Sequence, residues 1–435
     1  MADAARGFDR RQFLANAHAM TAGAWLAGLG LFPAMEGVAF AALCVMTAIR
    51  WRETWTALTD RSIRAALLLV ACLLGWMIAA CAWGESGVPL DSELPNRTFL
   101  GVAMVLGAAM PTWGILASIS IAGLWWCASA VAVRAGWHRP APMIPAHVSS
   151  TFLGFAGLAA AGIGCIIGSR RHVVRIAGIA AIGAAIFAIA VFASRGGLIG
   201  VAAALACCLL AAAIRRGSWR VPLAIAAGVL ALAVLLLPST PIWRKASASF
   251  SRDVAALPTD RPISFMDVYR IANPARAALH SWTAERIGER AIAGHGAKSW
   301  TVDRARWKAE AAPAAKAAQA AQPSAPPASS KPLKRPKSPP RPPDSAHSLY
   351  LEAAYEYGIV GLALLAGSLV ALAAAALRAG TGVRASAALA LVAMTAVVGL
   401  GDLVLNSRPM AARMAAMFAL AACARLPSSA QCTRP

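Results

Sequence analysis

The sequence predicts an all-α fold: a polytopic transmembrane helical bundle of about 12 spans, with one large periplasmic loop containing amphipathic helices. Three observations lead there. Of the 435 residues, 59% are hydrophobic and 14% are charged, against about 25% charged in an ordinary soluble domain. The apolar residues come in runs close to the roughly 20 residues that a helix needs to cross a bilayer. Arginines gather in the short connections between those runs, as they do in cytoplasmic loops. A large soluble enzyme is excluded.

The apolar runs lie near 17–32, 34–49, 63–83, 97–110, 113–133, 147–168, 173–193, 196–214, 221–238, 348–377, 385–405 and 409–424. The run at 97–110 is short and ends at Pro111, and charge parity decides it. Arg50, Arg52, Arg61 and Arg64 mark one basic connection; Arg170, Arg171 and Arg175 a second; Arg215, Arg216 and Arg220 a third; Arg378 and Arg384 a fourth. All four belong in the cytoplasm, so an even number of spans separates each pair. That holds between Arg64 and Arg170 only if 97–110 crosses. The loop with Glu85, Asp91 and Glu93 then lies outside, as do Arg134 and Arg139, against the rule. Both termini fall in the cytoplasm of an inner-membrane protein. Arg10 and Arg11, in a twin-arginine-like DRRQFL stretch, are read as retaining the N-terminus there rather than as an export signal.

Three regions follow: nine spans over 1–238, the periplasmic loop over 239–346, and three spans over 347–435. The formal net charge is +22. The loop holds 18 Lys/Arg and 8 Asp/Glu, hence +10. Long loops translocate regardless of charge, so this excess points to an anionic ligand or membrane surface. Within the loop, 263–308 mixes Ala, Leu and Trp with charges and reads as amphipathic helix on the membrane face. Residues 309–343 are Ala, Pro, Lys and Ser, a composition that cannot bury a core and reads as a spacer. The nine Cys lie mostly inside apolar runs, with no CxxC pair; they read as small hydrophobes, not as zinc ligands or redox centres.

Three polar patches face the outer side. The first is Ser194-Arg195-Gly196-Gly197. A lone Arg there can simply snorkel, but with two glycines permitting a tight turn it also suits a phosphate. The second runs from Tyr269 to Trp300, where Arg270 and Arg276 precede an expected helix, Gly294-His295-Gly296 ends it in a turn, and Lys298 follows. Arginines on such a helix are usually a solvated face; here the loop is already basic. The third runs from Asp344 through His347 and Glu352 to Gly361. Asp344 or Ser345 can cap a helix entering the membrane, placing His347 in its first turn. The positive end of the helix dipole there disfavours imidazolium, leaving a neutral base. A capping role is the plainer reading of such a histidine. Glu352 and Glu356 lie one and two turns further on.

Taken in order, SRGG, an Arg followed by Gly-x-Gly, and His-Ser-x-x-Leu-Glu with Glu-x-Gly-Ile-x-Gly resemble the O-antigen ligase and O-antigen polymerase superfamily over about 187–380. The third motif is the most specific. His280 and Ala291 stand where relatives often carry Trp and Pro. The resemblance implies a glycosyltransferase without metal or cofactor. It would move a glycan, with inversion, from undecaprenyl diphosphate to a sugar hydroxyl, that of lipid A–core in a ligase. His347 would be the base, and Arg195, Arg270 and Arg276 would clamp the diphosphate. Ser194, Gly196, Gly294, Gly296, Lys298 and Glu352 would support them. Membrane lipids are further partners and nucleic acid is not. The single basic loop favours the ligase over the polymerase, since lipid A–core carries phosphates. A lipid-linked sugar transporter is the alternative from another class, but inverted repeats and mid-membrane charges are not evident. A purely structural envelope partner would not need the Arg–His set.

Overall fold

The computed structural model describes residues 10–84, 148–191, 195–220, 274–303, 348–380 and 382–400, apart from 32, 60 and 301 and with a few scattered residues besides. These form helices and no strand. In chain order they are α1 (Arg10–Leu31), α2 (Pro33–Ile49), α3 (Trp51–Leu58), α4 (Arg61–Ala79), α5 (Val148–Gly168), α6 (His172–Val191), α7 (Arg195–Arg216), α8 (Pro274–Glu289), α9 (Leu349–Arg378) and α10 (Val383–Val398). Three described stretches are long and apolar enough to cross a membrane: His172–Ala190, Gly196–Arg215 and Leu349–Arg378. Helices coincide with eight of the expected spans. The other four, at 97–110, 113–133, 221–238 and 409–424, lie largely outside the described residues, as does the 309–343 spacer.

Two corrections concern local structure. The basic connection at 50–64 contains a helix, α3, and the Thr54 N–H donates to the Arg50 carbonyl at 3.0 Å, carrying the helical path past Ile49. Gly196 and Gly197 form no tight turn; they lie in the first turn of α7.

The chain divides into two compact units. The first comprises residues 1–74, 95–244 and 364–435. Within it α1 packs on α2, α5 on α6, and α10 on both α5 and α7. Small residues make these contacts close, as helix association in lipid requires. A Cβ on Gly162 would come within 2.7 Å of the Gly178 carbonyl oxygen, and one on Gly178 within 2.7 Å of the Gly162 oxygen. Alanine contributes too: Ala385, Ala387, Ala388 and Ala390 of α10 are all buried.

The second unit comprises residues 75–94 and 245–363. Its core is Leu279 and Trp282 of α8, Trp300, and Tyr355 of α9, with Ile287 and Leu351 packed against them. The Trp282 and Trp300 rings meet edge-on at 5.6 Å, and Trp300 meets Tyr355 at the same separation. Tyr355 is fully buried and its hydroxyl donates to the Asp303 carboxylate. That satisfies the one polar atom that burying a tyrosine puts at risk.

Candidate functional site

The second unit carries the glycine turn and the last polar patch. α9 is broken at Gly358, whose φ of 67° and ψ of −169° fall in a region open essentially to glycine alone. A break inside a helix releases backbone groups that must find partners. The Ile359 N–H, which an unbroken helix would return to the Tyr355 carbonyl, donates to the Ala291 carbonyl at 2.8 Å. The Tyr355 carbonyl accepts from the His295 N–H at 2.8 Å, and the Glu356 carbonyl from the Gly296 N–H at 2.9 Å. The Tyr357 carbonyl accepts the Trp76 indole N–H at 2.8 Å. The glycine turn and the helix break thus satisfy each other.

Contact this close excludes side chains. A Cβ on Gly294 would lie 2.5 Å from the Gly358 nitrogen. One on Gly296 would lie 2.7 Å from the Gly84 nitrogen. Gly294 and Gly296 both have positive φ, so the expected turn is present. Its amides serve the protein backbone.

His295 is held just as firmly. Its Nε2 lies 3.0 Å from the Arg286 carbonyl oxygen. A carbonyl can only accept, so Nε2 carries the proton. The ring stacks on Tyr355 with centroids 4.6 Å apart and is buried. Of the two histidines in the motifs, this one is committed to the fold.

Arg286 is bound to Glu289 at 3.2 Å and lies over the Trp282 ring, a structural role. Arg276 is half-buried in the first turn of α8, so it does not precede the helix as the sequence suggested. That turn starts with Pro274 and holds no acidic residue. A guanidinium beside first-turn N–H groups suits a phosphate. Lys298 is half-buried in the glycine turn with φ 56°.

The cap of α9 is Ser348, not Asp344 or Ser345. Its carbonyl accepts from the Glu352 N–H at 2.9 Å and its Oγ from the Leu351 N–H at 3.4 Å. His347 directly precedes Ser348 in sequence; its placement lies outside the described residues, as do those of Arg270 and Ser194 and the Arg195 side chain. Glu352 and Glu356 are both buried, at 4% and 3% exposure. Trp76, Asp303 and Tyr355 escaped the sequence reading.

The described structure defines the class: a helical membrane protein with a polar, arginine-bearing unit built around a broken helix. Residues 180–366 match the family model described as O-antigen ligase. The match bears out the motif resemblance and supports the O-antigen ligase superfamily. Members of that family are glycosyltransferase-like enzymes working with lipid-linked glycans. No curated protein matches the chain.

Proposed function

We propose that this chain is an O-antigen ligase. It would transfer a glycan from undecaprenyl diphosphate to a sugar hydroxyl of lipid A–core on the periplasmic side of the inner membrane. One observation carries the reading. Gly294–Gly296 and Gly358, more than sixty residues apart in sequence, interlock through their backbones. That interlock ties Arg276-bearing α8 to the helix that His347 leads into.

In the proposed reaction the acceptor hydroxyl attacks the anomeric carbon from the face opposite the diphosphate. Its proton passes to neutral His347, and the bond from anomeric carbon to phosphate oxygen breaks with inversion. A positioned base of this kind contributes roughly 10²–10⁴-fold. Arg195, Arg270 and Arg276 stabilise the departing diphosphate by charge-assisted hydrogen bonds. Ser194, Gly196 and Lys298 support that clamp. Gly294, Gly296 and Glu352 hold the surrounding backbone and helix.

The test supplies purified protein with polyprenyl-diphosphate glycan and lipid A–core and resolves the products by gel. Glycan on lipid A–core is the expected result. Longer lipid-linked glycan alone would make the protein a polymerase. Translocation without transfer would make it a transporter.

A further inference from the structure

The junction of α2 and α3 lies in the first unit, and the transfer chemistry makes no use of it. Here the Arg50 Nη1–H donates to His18 Nδ1 at 3.1 Å. A guanidinium can only donate, so Nδ1 is the lone-pair nitrogen and His18 is neutral. Nε2–H then donates to Thr47 Oγ1 at 3.1 Å, and the Thr47 hydroxyl donates to the Leu43 carbonyl at 2.8 Å. His18 is 0% exposed and Thr47 5%. This buried relay fixes a half-buried guanidinium in place, and His18 takes only one of its five N–H donors. Among the described residues no carboxylate pairs with Arg50.

Beside it, Trp51 and Trp55 are 52% and 56% exposed. They stand one helical turn apart with ring centroids 5.7 Å from each other. Arg52 is exposed on the polar side of α3, and Arg64 is exposed early in α4. A paired indole surface next to arginines is poorly suited to bulk water and well suited to the headgroup layer, where tryptophan rings settle. The charge complement of such a surface is an anionic headgroup.

We propose that the α2–α3 junction binds an anionic phospholipid, with Arg50 and Arg52 on the phosphate oxygens and Trp51 and Trp55 in the boundary between headgroup and acyl chain. The relay from His18 through Thr47 orients Arg50 ahead of binding, which lowers the entropy lost on association.

The test titrates the full-length protein in detergent with phosphatidylglycerol and with phosphatidylcholine, reading bound lipid by native mass spectrometry. Phosphatidylglycerol should bind about tenfold more tightly: both lipids carry the phosphate, but the choline ammonium of phosphatidylcholine cancels its charge and is repelled by Arg50 and Arg52. Arg50→Gln should remove most of that preference. Trp51→Ala with Trp55→Ala should weaken both lipids, and because these rings are exposed that variant reports even if Arg50→Gln does not fold. Inorganic phosphate in large excess should not displace the lipid. Equal binding of the two lipids, or an unchanged preference in a folded Arg50→Gln protein, would overturn the proposal. So would lipid binding untouched by the tryptophan changes. Displacement by inorganic phosphate would also overturn it, in favour of a free-anion site.

Discussion

At the residue scale, the second unit buries polar groups in pairs. The Tyr355 hydroxyl and the Asp303 carboxylate are both buried and bonded to each other. Tyr355→Phe removes the donor and should cost about 2 kcal/mol, since a hydrogen bond to a charged group is worth about 1.5–3 kcal/mol. Asp303→Asn keeps an acceptor and should cost less; thermal unfolding in detergent ranks the two. His347→Ala and Arg276→Ala belong to the proposed reaction. Each should lower turnover by roughly 10²-fold or more with folding unchanged. Arg276→Lys should recover only part, because an ammonium lacks the planar fork. Single-turnover transfer measures both. A histidine needed only for stability would show its loss in unfolding temperature instead.

At the element scale, the break in α9 is an energetic commitment. Gly358 and Gly217 both have positive φ, but a Cβ on Gly217 meets nothing within 4 Å. Gly217→Ala should therefore cost only about 1–2 kcal/mol, the left-handed penalty itself. Gly358→Ala adds a collision with the Ile292 backbone and should cost more than about 3 kcal/mol, given strain in a glycine-only region plus overpacking. Limited proteolysis near 290–300 should expose the difference. Helices were the legible part of this protein, because lipid demands long apolar runs and hydropathy reports them directly. The break was not legible: glycine is common in membrane helices, and nothing local distinguishes Gly358 from Gly361. The cap was ambiguous for a similar reason. Asp344, Ser345 and Ser348 all have capping side chains, and only the backbone bonds of Ser348 decide among them. α3 was missed because its eight residues, with Arg52 and Glu53, carry no membrane-length signal. Trp76 read simply as part of an apolar span, yet its N–H closes the account for the Tyr357 carbonyl.

At the scale of the whole molecule, the basic loop and the motifs made a single pattern visible before any coordinates, and the match over 180–366 falls on the same stretch. The spacer reading of 309–343 rests on composition alone, and the segment lies outside the described residues. Residues 309–343 hold few groups able to build a core. Deleting 309–343 should leave the unfolding temperature unchanged and transfer largely intact. A marked fall in stability on deletion would mean that the segment packs against the folded parts.

The mutual bonding of the glycine turn and the helix break has a kinetic consequence. The amides of His295, Gly296 and Ile359 depend on carbonyls across the same seam. None can be released for long while the others stay closed. In deuterium exchange these three should therefore share one opening free energy, forming a single cooperative unit from remote parts of the chain. Trp76→Phe, which removes the bond to the Tyr357 carbonyl, should speed exchange at all three together.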